Sequence, residues 1–298
     1  MDGPRLQLFL SEGHERVSDL LAEKLPRRVR GWPTRFAPVP DDPGVHQLTD
    51  GTEGRHCVDT AEPGAWLTGE LGFDPRAGVT TADWLATPTQ RLTGVVGGAV
   101  FHDGPGELTA ARRDLAWYPT DVWRYVLACQ WHRIAQEEPF VGRCAEVGDE
   151  LGERVVTARL VRDLMRLCLL LARRYPPYSK WLGSAFSALS ETSEVAPVLR
   201  RALTSTDPKQ DLSEAYRMVA AWQNRTGLAE PLSPEPRSFH SRPFPVLDAG
   251  RYTEALLERI EDPALADRPP VGAVDQYVDS TDALVRPGLL RAVSAAVR

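Results

Sequence analysis

Between Ala116 and Arg143 the chain runs apolar on almost every face while keeping polar residues in one row. Val122, Trp123, Tyr125, Val126, Leu127, Ala128, Cys129, Trp131, Ile134 and Ala135 leave little of the segment for water, the pattern of a buried helix. Pro119 and Thr120 mark its start, Asp121 places a negative charge where the helix dipole favours one, and Pro139 ends it after Glu138. Gln130, Arg133 and Glu137 follow at i, i+3 and i+7, so three polar groups share one stripe of a core helix and must find partners or a ligand. Two readings are open: an Arg–Glu pair inside the core, or the polar wall of a site with a glutamate as base.

The same patterning predicts the other elements. Leu6, Leu8 and Leu10 alternate with polar or aromatic residues in a strand over Pro4 to Leu10, and a helix with Val17, Leu20, Leu21 and Leu25 follows, stopped by Pro26. Arg27 to Gly44, rich in proline and arginine, reads as a long surface excursion, with Arg27, Arg28 and Arg30 solvated or touching a phosphate. A second strand lies near Arg55 to Thr60, where Asp59 either closes a turn or faces a cleft as a metal ligand. Short helices start at Pro63 and near Thr81, and Asp103-Gly104-Pro105-Gly106 is a hairpin-type turn.

Beyond the central helix, Glu146 to Tyr175 is one long helical stretch with a break near Gly152, and its charged stripe Arg159, Asp163, Arg166 reads as surface pairing. Tyr178-Ser179-Lys180-Trp181 opens the next helix, where Lys180 is either a snorkelling surface lysine or a partner for an anion at the helix start. A helix runs from Pro208 to Gly227, and a proline-rich strap around SFHSRPFPVL carries His240 and Arg242. Helices over Arg251 to Glu261 and Pro287 to Val297 flank GAVDQYVDSTDAL. The expected fold class is α+β, with a mixed sheet-and-helix domain over 1–115 and an all-helical bundle domain over 116–298.

Composition narrows the function. With 298 residues, 42% of them hydrophobic, the chain can bury a sizeable core. A net charge of -6 provides no field for a polyanion, which disfavours nucleic acid as a partner. Cys57, Cys129, Cys144 and Cys168 form no CxxC and suggest neither a disulfide framework nor zinc. The start lacks a signal-peptide pattern, and Leu164 to Ala172, interrupted by Arg166, is too short to cross a bilayer. The expectation is a cytoplasmic protein with no membrane partner, and a homo-oligomer is left open.

The segments PRLQLFL, RGWPTRF, GAVFHDGPGELTAARRDLAWYP, QEEPFVGRCAEVGDELG, YPPYSKWLG and VDQYVDSTD resemble a bacterial family of unknown function in the nucleotidyltransferase-like superfamily. More remotely, the chain is similar to the kanamycin nucleotidyltransferases, in which a small mixed sheet precedes a helical bundle. The resemblance implies transfer of a nucleoside monophosphate from a nucleoside triphosphate to a hydroxyl-bearing small molecule, with Mg2+ held by three carboxylates. It makes Asp59 the third of those carboxylates, catalytic and metal-binding. Lys180 and Tyr178 would bind nucleotide, and Glu137 or Glu138 would be the general base. The family's Gly-Ser motif and Asp-x-Asp pair precede PRLQLFL, whereas this chain begins Met1-Asp2-Gly3-Pro4, with Asp2 as a stand-in for one metal ligand. The expectation is therefore an incomplete mixed sheet and a chain inactive as given or part of a longer protein. The alternative is a non-catalytic nucleotide-binding or protein-binding scaffold.

Overall fold

A computed structural model describes residues 6–51, 54–56 and 58–297; Asp2 and Cys57 lie outside the described residues. The chain forms two compact units, Met1–Asp74 and Pro75–Arg298. The division falls 41 residues before the boundary drawn from sequence, so the segment from Pro75 to Leu115 belongs with the helices rather than with the strands.

In the first unit, β1 (Leu6–Phe9) leads into α1 (His14–Lys24). Four strands follow where the sequence suggested a surface excursion: β2 (Arg28–Val29), β3 (Trp32–Pro33), β4 (Arg35–Val39) and β5 (Asp42–Thr49). The turn between β2 and β3 uses positive φ at both Arg30 and Gly31, as tight hairpins require. Pro38 is tolerated in β4 because β6 (Arg55–His56) pairs only with Arg35 and Phe36, which leaves the proline outside that ladder. Arg28 is tied to Asp50 by an ion pair rather than left for a phosphate. Then β7 (Val58–Ala61) pairs in parallel with β1, α1 packs against it, and α2 (Pro63–Leu71) ends the unit. The fold class is α+β, but the described strands form separate small sheets instead of one mixed sheet.

The second unit is helical. The expected single helix near Thr81 is two, α3 (Thr81–Ala86) and α4 (Thr89–Val96), because Pro88 interrupts it. No strands flank the expected hairpin turn. Asp103 instead accepts the N–H groups of Gly106 and Thr109, at 3.0 and 2.7 Å, and so starts α5 (Glu107–Asp114). The central helix is α6 (Thr120–Glu137), and α7 (Phe140–Glu146) begins after Pro139.

Asp149 accepts the Gly152 N–H at 2.8 Å and caps α8 (Glu150–Leu171), which continues through Gly152 without a break. After α9 (Ser179–Ser187) comes α10 (Val195–Thr204), absent from the sequence reading, and then α11 (Pro208–Arg225). The strap holds β8 (Arg237–Ser238) and β9 (Pro245–Val246). The chain ends through α12 (Gly250–Leu257), α13 (Pro263–Ala266), α14 (Val274–Tyr277), α15 (Thr281–Leu284) and α16 (Pro287–Ala296).

α6 is the axis of this unit and packs against α8 and α12. Trp131, fully buried, stacks on Tyr252 with ring centres 4.8 Å apart and donates its indole N–H to Gln223 Oε1 at 3.1 Å. Trp123 likewise donates to the Leu170 carbonyl at 2.9 Å. Among the described residues no helix is long and apolar enough to cross a membrane. Cys129 and Cys168 are buried free thiols whose pKa burial pushes up, and Cys144 is free and partly exposed.

Candidate functional site

The polar row of α6 meets the charged stripe of α8. Glu137 pairs with Arg159, Arg133 donates to Asp163 Oδ2 at 3.3 Å, and Gln130 donates to the Asp163 carbonyl at 3.1 Å. Partners rising along α6 fall along α8, as antiparallel helices require. Arg133 and Glu137 therefore serve different partners on α8 rather than each other. Of the α8 stripe expected at the surface, Arg159 does stay exposed in its pair with Glu137, whereas Asp163 and Arg166 turn toward α6 and α14, the Asp163 side chain being only 2% exposed.

α14 closes the arrangement. Gln276 donates to Gln130 Oε1 and to the Val126 carbonyl, both at 3.1 Å, while its own carbonyl accepts from Arg133 at 2.7 Å. Arg166 donates to Asp275 Oδ2 at 2.9 Å, and this aspartate is 6% exposed. Thr89 Oγ1 lies 2.5 Å from the same carboxylate. Around these groups lies a cavity of about 200 Å3, walled by Arg133 of α6, by Arg159, Arg162, Asp163 and Arg166 of α8, by Ser179 and Leu182 of α9, and by Asp275 through Asp279.

Four guanidinium groups on this wall face four carboxylates. Arg133 is matched with Asp163, Arg159 with Glu137, Arg166 with Asp275 and Arg162 with Asp279, the last at 3.3 Å. The match is incomplete atom by atom. Asp163 Oδ1, Asp275 Oδ1 and Arg162 Nε are buried and make no hydrogen bond among the described residues; Arg162 Nε stands 3.7 Å from Asp163 Oδ1. Buried polar atoms in this state cost stability unless water or a ligand completes them.

The residues singled out from sequence do not converge on one point. Asp59 lies on β7 in the first unit, exposed, where its backbone carbonyl accepts from Gln7 Nε2 at 3.3 Å. Among the described residues no three His, Cys, Asp or Glu side chains gather to hold a metal, so the described carboxylates do not fit the three-carboxylate Mg2+ cage that the resemblance implies. Glu137 borders the cleft through its pairing with Arg159.

Glu138 points elsewhere. It is buried and accepts the N–H groups of Leu247 at 2.7 Å and Ala249 at 2.8 Å, which ties the strap to the start of α12. Burial pushes its pKa up to about 7 against the pull of those donors. Lys180 is exposed beside Trp181, 5.1 Å from the ring centre, and Tyr178 donates its backbone N–H to Gln90 Oε1 at 3.1 Å. Their neighbour Ser179 is the residue of that segment on the cleft wall.

Sequence reasoning missed Asp275, Arg162 and the facing of the two polar rows. A partial signal was present, since segments around Glu137, Ser179 and Asp275 to Asp279 all belong to the stretches that carried the resemblance. No curated protein and no solved structure matches this chain. Residues 84–182, which span α3 through the start of α9 and supply the α6 and α8 walls of the cleft, match the model of a family described as Domain of unknown function (DUF4037).

Proposed function

We propose that the helical unit binds a small polar molecule in the cleft formed by α6, α8, α9 and α14, and that it is the acceptor side of a nucleotidyltransferase-like protein. One observation carries this reading: a cavity of about 200 Å3 is walled by the guanidinium groups of Arg133, Arg159, Arg162 and Arg166, whose side chains are 15 to 51% exposed, while their partners Asp163 and Asp275 are only 2 and 6% exposed. A small polar ligand with acceptor groups meets these guanidinium donors. The transfer chemistry itself rests on the resemblance alone. Glu137 and Glu138 are both committed to hydrogen bonds inside the chain, which supports binding over proton abstraction.

The test is thermal unfolding of the intact chain in the presence of a panel of sugars, nucleotides, amino acids and phosphorylated metabolites, with the wild type and Ser179→Trp compared. Ser179 is exposed at the cleft, so an indole there fills the entrance without disturbing the core. A ligand present at about 100 times its Kd adds about 2.7 kcal/mol. At this size that raises Tm by several degrees. At least one class is expected to shift the wild type and not the variant. A panel without any shift, or a shift that persists in Ser179→Trp, overturns the reading.

A further inference from the structure

We infer that the cleft seats a small organic anion carrying a single phosphate group, held by Arg162 and Arg166 of α8 and by the start of α9, and that this anion displaces the Asp279 carboxylate from Arg162. This rests on the cleft being a ligand seat, and it goes further by naming the ligand's chemistry and the side chain that yields to it.

Charge comes first. On the cavity wall four guanidinium groups stand against three carboxylates, Asp163, Asp275 and Asp279. Asp163 and Asp275 are buried, so the charged groups that an incoming molecule touches are the guanidinium groups and Asp279. Guanidinium groups only donate. An ammonium offers them no acceptor and meets like charge. An uncharged acceptor meets the donors but leaves the surplus positive charge unmatched, whereas an anion answers both.

The donors left open lie on one helix face. Arg162 gives Nη1 to Asp279 Oδ2 at 3.3 Å, and Arg166 gives Nη2 to the carboxylate and the carbonyl of Asp275 at 2.9 and 3.2 Å. Among the described residues Arg162 Nη2 and Arg166 Nη1 donate no hydrogen bond, and neither is a buried atom. The two arginines are four residues apart on α8 and are therefore neighbours. Ser179, the first residue of α9, lines the same cavity, and no side chain caps that helix, whose first turn favours negative charge. Donors thus come from two helices, which suits the three terminal oxygens of a phosphate better than the two of a carboxylate. Asp279 holds Arg162 from a side chain that is 84% exposed. Such pairs contribute little, so a phosphate oxygen replaces this one at small cost while Arg166 keeps Asp275. Size agrees, because about 200 Å3 is below the range that seats drug-sized ligands and suits a phosphate on a few carbon atoms rather than a nucleotide.

Saturation-transfer NMR titrations on the intact chain test this, with glycerol 3-phosphate and ribose 5-phosphate as probes and with glycerol, ribose, succinate and ATP as comparisons. At least one of the two esters is expected to receive saturation with a Kd near the millimolar range, more tightly than any comparison. Binding is expected to vanish in Ser179→Trp, to weaken about tenfold in Arg162→Gln, which removes a charged donor, and to tighten about threefold in Asp279→Asn, which removes the competing carboxylate. The opposite signs of the last two separate a seat from a general loosening of the fold, and the exposure of Asp279 keeps its variant folded. An affinity that is unchanged or lower in Asp279→Asn, or binding that persists in Ser179→Trp, overturns the inference. Succinate, ATP or a bare polyol bound as tightly as the esters, and lost in Ser179→Trp, overturns the phosphate assignment while leaving the ligand seat standing. No transfer to either ester overturns it as well, and if the metabolite panel is also silent, the seat falls with it.

Discussion

Glu138 is the group through which pH acts most directly on the helical unit. Burial raises its pKa from an ordinary 4.5 to about 7, with the backbone N–H groups of Ala249 and Leu247 pulling it down and the neighbouring Asp248 carboxylate adding to the rise. The unfolded chain gives up this proton near the ordinary value, whereas the folded chain keeps it until about 7. The proton therefore stabilises the folded state. Its contribution is complete below the unfolded pKa and is lost as pH rises through the folded one. The separation corresponds to about 3 kcal/mol, a large part of the few kcal/mol that hold a domain folded.

Glu138→Gln removes the titration and nearly keeps the shape. Its amide oxygen serves one of the two N–H donors, and its NH2 faces the other, which goes unpaired at about 1–3 kcal/mol. The variant should therefore be less stable than wild type at pH 5, with the gap closing or reversing by pH 8. Urea unfolding of both proteins across that range, followed by circular dichroism, measures the difference, in which all other titrating groups cancel. A difference that stays constant from pH 5 to pH 8 refutes the reasoning.

A Cβ added at Gly142 falls 2.4 Å from the Phe244 ring, so Gly142→Ala should lose about 1–3 kcal/mol by forcing the strap away from α7, whereas Gly183→Ala, with open space around it, should gain up to about 1 kcal/mol of helix propensity; equal denaturation midpoints would contradict the packing described here. Arg166→Ala strands the buried Asp275 carboxylate and should cost about 3–5 kcal/mol by urea titration, with a loss below about 1 kcal/mol as the contrary result. Lys209 bridges Glu153 at 3.3 Å and Asp207 at 2.8 Å. Lys209→Ala should therefore destabilise by up to about 1 kcal/mol, and Lys180→Ala, on an exposed side chain, by less than about 0.5 kcal/mol; the reverse order in thermal unfolding would count against these contacts.

Elements whose ends are written in local chemistry could be read directly. α6 starts at Pro119 and ends before Pro139, and α11 starts at Pro208, so periodicity and proline punctuation agreed. The strands β4 and β5 were hidden, because Pro38 and Pro43 break the alternating signal and the sheet is held by cross-strand register that no local pattern encodes. The site was half legible. The polar row of α6 and the stripe of α8 each stood out, but their facing depends on helix register, a long-range property. Glu138 looked like a base because its partners, Leu247 and Ala249, are more than 100 residues away. Asp275 sits in a four-residue helix, too short for any periodicity to mark.

The ladder between α6 and α8 also explains why polar groups persist where apolar ones pack as well. In the observed register Glu137 meets Arg159 and Arg133 meets Asp163. Slipping α8 by one turn in one direction brings Arg133 opposite Arg159, and in the other direction it brings Glu137 opposite Asp163. Either slip opposes like charges at half-buried positions, so the ladder penalises the competing registers more than it stabilises the native one. The residues that fix this register are those that wall the cleft, together with Glu137 at its rim. A ligand that engages the guanidinium groups of Arg133 and Arg159 on the cleft wall therefore acts on the same contacts that align the two helices, and its binding has to be felt in the stability of the whole helical unit.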